Sequence, residues 1–221
     1  MEKLNFHKTH GNAIDKENGF NINIGITQLR HVNTRILGGG ASQGFAALKL
    51  LEHYIAYEQP EYVVEIGSQK GGLSLYIANI AGTTEQFLFH TFEINKSRDW
   101  YNREVEGIGH WFEKLETISP YIKSFESDCF AQETIDFVSR YINLYGKTLI
   151  ICDGGNKAKE VEVYSKIMKQ GDVIMAHDFP DDLGRGEIFD KDINMEILDY
   201  YEPWNQRFID NKTLFKVFVK K

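Results

Sequence analysis

Tyr62-Val63-Val64-Glu65-Ile66-Gly67-Ser68-Gln69-Lys70-Gly71-Gly72 is an apolar run that ends in an acid and passes at once into a glycine-rich turn. The next segment, Leu73-Ser74-Leu75-Tyr76-Ile77-Ala78-Asn79-Ile80, is apolar-periodic. The pattern predicts strand, turn and helix, with glycines where a ligand would touch backbone. In open α/β sheets, ligands bind beyond the carboxyl ends of the strands, so this turn is the natural cofactor site.

Working outward, Ser42 is a plausible N-cap for a helix carrying Phe45, Leu48, Leu51 and Ile55, which Pro60 terminates. Further strands are predicted at 87–93, 121–126, 148–152 and 172–176. Helical patterns lie at 72–80, 97–116, 131–144 and 157–169. Strands alternating with helices imply βαβ units and a mostly parallel sheet. Toward the C-terminus, Asn194–Tyr201 reads as a helix, and 206–209 with 213–219 as a hairpin. Residues 1–40 are polar and aperiodic, and read as an irregular arm with a short helix near Ile26–Val32. Residues 41–221 read as one Rossmann-like, doubly wound α/β domain.

Bulk properties bound the function. The 221 residues fit a single α/β domain. A net charge of −7 supplies no electrostatic reason to expect a nucleic-acid partner. The two cysteines, Cys129 and Cys152, sit at strand ends and lack zinc spacing, so reduced, packed thiols in a cytoplasm-like compartment are expected. There is no apolar leader at the N-terminus and no apolar run long enough to span a membrane.

The turn narrows the ligand. In a dinucleotide fingerprint, G-x-G-x-x-G, the middle glycine lets backbone approach a pyrophosphate. Gly67 and Gly72 hold the outer positions here, but Gln69 holds the middle one, which argues against NAD or FAD. Gly67, Ser68 and Gly71 are therefore candidate contacts to a different cofactor. Glu65 can reach the ammonium of an amino-acid-like ligand, directly or through water, or it can cap the next helix. Glu93, ending the second strand, can accept both hydroxyls of a ribose, or stand as a solvated loop acid. Asp128 can accept from an adenine amino group while Phe130 packs on the ring, or it can serve the following helix as an N-cap.

With these pieces in order, residues 60–221 resemble a class I S-adenosylmethionine-dependent methyltransferase, which implies a seven-stranded sheet whose last strand is antiparallel. A narrower likeness rests on Cys152-Asp153-Gly154-Gly155-Asn156-Lys157 and Gly171-Asp172-Val173-Ile174-Met175-Ala176-His177-Asp178. These segments are similar to metal-dependent small-molecule O-methyltransferases and to the cephalosporin-hydroxylase-like and rhamnosyl O-methyltransferase group. The likeness implies that Asp153, His177 and Asp178 hold a divalent cation, Mg²⁺ or Mn²⁺, and that Asp153 also serves cofactor binding and catalysis.

Catechol-type enzymes place a basic residue three positions after the first acid, where this chain has Asn156. Lys157, one residue later, is the candidate catalytic cation, and Lys159 lies nearby. Each site residue also has a structural alternative: Asp153 as a helix cap, His177 as a core histidine, Asp178 as a turn former before Phe179-Pro180.

The reading is thus a transferase that methylates a small hydroxylated acceptor. Its competitors are a degenerate nucleoside- or partner-binding protein on the same fold and, ranked below both, an NAD-dependent oxidoreductase. Residues 181–187 are a candidate lid. Tyr200, Tyr201 and Trp204 are candidate acceptor-pocket walls, with the core as the alternative. The arm, which carries His7, His10 and His31, is a candidate for covering the pocket or exchanging between subunits of a homo-oligomer.

Overall fold

The computed structural model describes residues 14–15, 20–21, 34–36, 39–41, 43, 45–69, 71–84, 87–94, 115, 118–177, 196–202, 204–210 and 215–221. The elements run β1 (Ile14–Asp15), β2 (Phe20–Asn21), β3 (Thr34–Ile36), β4 (Gly39–Ala41), α1 (Phe45–Glu58), β5 (Tyr62–Ile66), α2 (Gly72–Thr84) and β6 (Leu88–Glu93). They continue with β7 (Ile122–Glu126), α3 (Gln132–Leu144), β8 (Thr148–Cys152), α4 (Lys157–Ser165), β9 (Val173–Ala176), β10 (Leu198–Tyr200), α5 (Trp204–Asp210) and β11 (Lys216–Lys220).

The main sheet has seven strands in the order β7-β6-β5-β8-β9-β11-β10. β5 lies between β6 and β8, parallel to both, and β11 runs antiparallel to its neighbours β9 and β10. This is the doubly wound sheet expected from the sequence. Strand order reverses at β5, so the turn after Ile66 opens at the topological switch point, where α/β sheets bind ligands.

Alternation along the strands builds two cores. Val63, Phe89, Leu149, Ile151, Val173, Met175 and Val217 pack under α1, α2 and α5. Their neighbours Tyr62, Val64, Phe92, Ile150, Cys152, Ile174 and Phe218 pack under α3 and α4. Every residue of β5 and β8 is buried, as expected for central parallel strands covered on both faces.

The structure corrects three expectations. The N-terminal arm is not simply irregular: β1 to β4 form a small antiparallel sheet, and β3 and β4 lie against α2. The helix expected at 194–201 contains instead the strand β10, because β11 needs an outer partner and Leu198 to Tyr200 pair with its last residues. The strand expected at 206–209 is instead part of α5. Trp204, Asn205 and Phe208 recur at helical spacing, and all three are buried. The segment expected as a helix near 26–32 and, apart from Leu115, the one expected over 97–116 lie outside the described residues.

Asn205 ties α5 to the sheet. Its side-chain amide donates to the Val217 carbonyl and its oxygen accepts from the Val217 N–H, each at 2.7 Å, in a fully buried setting. It thereby acts as a strand partner where β10 has already ended. Asn205→Leu leaves a buried backbone N–H without an acceptor and should cost about 2 kcal/mol. Thermal denaturation should show a midpoint lower by roughly 6 °C.

Candidate functional site

Side-chain parity decides what meets at the carboxyl edge of the sheet. Glu65 shares the face of Val63, Thr91 and Glu93 share that of Phe89, and Asp153 and His177 continue the parity of Ile151 and Met175. Five polar side chains therefore gather on the α1/α2 side of neighbouring strand ends.

The loops are held in fixed relation by hydrogen bonds that extend the parallel ladders. Gly67 N–H donates to Phe92 O at 2.9 Å, Asp153 N–H to Ile66 O at 2.9 Å, and His177 N–H to Cys152 O at 3.0 Å. Gly67 has φ of +88°, and a Cβ there would collide with the Gly154 backbone. A glycine is required at this crossing both by conformation and by space. Gly154 is confined in turn by Glu160, whose carboxylate accepts from Gly154 N–H at 3.2 Å and Asn156 N–H at 3.1 Å.

Asp153 is clamped on both oxygens. Gln43 Nε2 donates to Oδ2 at 2.6 Å, and His177 Nδ1 lies 2.9 Å from Oδ1. Asp153 does not cap α4; Asn156 does, accepting from Lys159 N–H at 3.1 Å. The position where catechol-type enzymes carry a base is thus occupied by a helix cap. Lys157 is the first residue of α4, and Lys159 stands with its ammonium 4.0 Å from the centre of the Phe130 ring. Asp178 and the lid segment 181–187 lie outside the described residues, as do His7, His10 and His31. Among the described residues no group of three or more acidic, His or Cys side chains has metal-binding geometry.

Three amides of the glycine turn are already engaged: Gly67 N–H on Phe92 O, Gln69 N–H on Glu93 Oε2 at 2.8 Å, and Gly71 N–H on Ser68 O at 2.7 Å. A phosphate needs such amides pointing at it. With Glu65 and Glu93 beside it, the turn suits a cationic or neutral ligand group better than an anionic one.

Glu65 is fully buried; its Oε2 accepts from Ser74 Oγ and, at 2.5 Å, from Thr91 Oγ1, while Oε1 has no partner. Burial pushes its carboxyl up to about 8, against the pull of those two hydroxyl bonds. The second oxygen of Glu93 carries no hydrogen bond from the described residues and is available to a ligand hydroxyl. Asp128 is exposed and forms an Asx turn, accepting from Phe130 N–H at 2.9 Å; Ala131, not Asp128, is the N-cap residue of α3. The orphaned oxygen of Glu65 and the half-used Glu93 fit a nucleoside bearing an ammonium group.

Tyr201 and Trp204 lie elsewhere. Tyr201 Oη donates to Glu58 at 2.6 Å and Trp204 Nε1 to the same oxygen at 3.2 Å, beside Lys147, which precedes β8. That is the opposite end of the sheet from Asp153, about 16 Å of strand away. They pack against the core rather than line the site. Cys129 and Cys152 are free thiols; burial raises Cys129 to about 12 and Cys152 well above its ordinary value. No helix among the described residues is long and apolar enough to cross a membrane.

Gln43, Ser74, Thr91 and Glu160 were missed by sequence reasoning. Strand parity flags Thr91, which stands two residues from both Phe89 and Glu93. Asn156 followed by an acid in the first turn of α4 flags Glu160. Nothing in the sequence places Gln43 beside Asp153, 110 residues away.

No family model and no curated protein matches the chain. Solved structures do. CmcI in an apo form superposes with a TM-score of 0.59 at 12% identity, over 84% of this chain and 75% of its own. CmcI in a form described as Mg-SAM gives 0.58 at 12% identity, over 85% and 74%. Cofactor-bound Rv0187 from MTB gives 0.51 at 13% identity, over 78% of each. The shared strand order with its antiparallel last strand is the Rossmann-like methyltransferase fold, and this chain has it.

Two buried acids make stability pH-dependent. Burial holds Glu65 near 8 and Glu160 near 7, both above the ordinary 4.5. The folded chain therefore keeps protons that the unfolded chain has released. Their stabilisation is complete below pH 4.5 and is lost as pH rises through 7 and 8. Urea midpoints measured from pH 5 to pH 9 should fall, and Glu65→Gln should flatten the upper part of that decline.

Proposed function

We propose that the chain binds S-adenosylmethionine at the β5 turn and transfers its methyl group to a hydroxyl of a small acceptor, with a divalent cation assisting. The observation that carries this reading is the set of three acids and a histidine on one sheet face beyond the switch point: Glu65 and Glu93 at the turn, Asp153 and His177 beside it. The fold shared with CmcI, one form of which is described as Mg-SAM and another as SAH, supports it.

In this reading Glu65 faces the ligand ammonium, Glu93 takes the ribose hydroxyls, and Asp128 with Phe130 holds the adenine. Gly67, Ser68 and Gly71 shape the turn against the ligand. Methyl transfer is an in-line displacement, so the main task is alignment of nucleophile, methyl and sulfur. Asp153, with its plane set by Gln43 and His177, would hold the cation together with His177 and Asp178. That ion would polarise the acceptor hydroxyl and lower its pKa. Lys157, at the head of α4, is the nearby cation that can receive or balance the charge.

The helix-capping role of Asn156 favours one second reading, a nucleoside-binding protein without transferase activity. Engagement of the turn amides counts against a nicotinamide enzyme.

Calorimetry with S-adenosylhomocysteine should give a dissociation constant on the order of micromolar. Glu93→Ala should weaken it at least about tenfold, the loss of a charge-assisted pair of hydrogen bonds. Labelled S-adenosylmethionine offered with hydroxylated acceptors should transfer label with Mg²⁺ and lose that transfer in EDTA. Absence of binding to either nucleoside would overturn the proposal, and binding without transfer across the panel would favour the second reading.

A further inference from the structure

Ser68, Thr91, Glu65 and Ser74 form one buried hydrogen-bonded chain beneath the turn, and its proton directions follow from simple counting. Thr91 has a single hydroxyl proton and donates it to Glu65 Oε2 at 2.5 Å. Ser68 Oγ lies 2.5 Å from Thr91 Oγ1. Because the Thr91 proton is already engaged, Ser68 must be the donor in that bond. Ser74 Oγ donates to the same Glu65 oxygen. All three hydroxyls therefore serve Oε2, directly or in relay, and none serves Oε1. Oε1 is buried with no hydrogen-bond partner.

A buried carboxylate oxygen without a donor is unfavourable as an anion. The surroundings add to this. From β6 the charge of Glu93, and from the β8 loop that of Asp153, oppose ionisation of Glu65, while α2 contributes only the Ser74 hydroxyl. Burial is the largest influence, and the carboxyl is raised to about 8. The cost is relieved in one of two ways: a proton on Oε1 removes the buried charge, or the cation of a ligand supplies the missing donor.

We propose that Glu65 is a carboxylic acid in the unliganded protein and exchanges its proton for the ammonium of the bound nucleoside, so that cofactor binding releases a proton. This rests on the S-adenosylmethionine reading above. The balance is simple. Glu65 carboxylic acid and ligand ammonium become Glu65 carboxylate paired with that ammonium, and one proton passes to the buffer; no bond of the ligand changes. Thr91 and Ser68 are positioning residues, which hold Oε2 so that Oε1 is the oxygen that changes partner. The exchange makes the site selective for a nucleoside that carries an amine.

The test is calorimetry on the full chain at pH 7 in phosphate and in Tris, whose ionisation enthalpies differ. S-adenosylhomocysteine should release close to one proton per molecule bound, and 5′-methylthioadenosine, which lacks the ammonium, none. Affinity for S-adenosylhomocysteine should rise about tenfold per pH unit from pH 6 toward pH 8, while that for 5′-methylthioadenosine stays flat. Glu65→Gln should abolish the release. Glu160→Gln, which removes the other raised carboxyl near this pH, should retain it. If Glu65→Gln does not fold, the comparison of the two ligands on the unaltered chain decides.

Binding of S-adenosylhomocysteine without proton release, or equal release by both ligands, overturns the exchange and leaves the cofactor reading intact. Failure of S-adenosylhomocysteine to bind overturns both.

Discussion

The carboxyl edge of the sheet depends on one geometric constraint, the two-residue alternation of side chains along β5, β6, β8 and β9. Parallel pairing puts these strands in register, so positions of equal parity face the same layer. Glu65, Thr91, Glu93, Asp153 and His177 all take the α1/α2 side. A slip of one residue in any strand would turn its polar group toward α3 and α4 and leave it buried among Val138, Ile142, Val161 and Tyr164. The apolar pattern that sets the register of the core is therefore also what assembles the site.

On that base the loops are fixed by backbone, not by side-chain bulk. Gly67 passes so close to the Gly154 backbone that it cannot carry a larger residue, and the ladder bonds from Gly67, Asp153 and His177 tie three loops to neighbouring strand ends. The same closeness engages the turn amides internally. A turn with three of its amides engaged and flanked by carboxylates is a poor phosphate cradle, so the loss of the central fingerprint glycine at Gln69 and the observed hydrogen bonds point the same way. The acids concentrated there carry mutual repulsion and burial, which raise Glu65.

Much of the central domain was legible. Apolar runs bounded by glycine and acid marked β5, β6, β8 and β9 within a residue or so, because buried parallel strands need continuous hydrophobic character. The C-terminal part was not. Leu198 to Tyr200 and 204–210 are short segments whose apolar spacing fits either period, and β10 is a strand only because β11 lies beside it. The N-terminal strands are two or three residues long, too short for any periodicity to register. Among site residues, the strand-end acids stood out because each interrupts an apolar run, whereas Gln43 and Ser74 look like ordinary polar residues at a helix approach and in a helix.

Local sequence by itself determined the alternation of strands and helices, the glycine turn and the acids at the strand ends. These are consequences of burial pattern and backbone conformation over a few residues. Tertiary structure decided which groups meet: that Asp153 is clamped by Gln43 and His177, that Asn156 and not Asp153 caps α4, and that the hydroxyls of Ser74 and Thr91, the latter backed by Ser68, converge on one oxygen of Glu65. Those contacts join residues up to 110 positions apart. No local pattern encodes them, because they arise only when the sheet closes and brings distant loops within hydrogen-bonding distance.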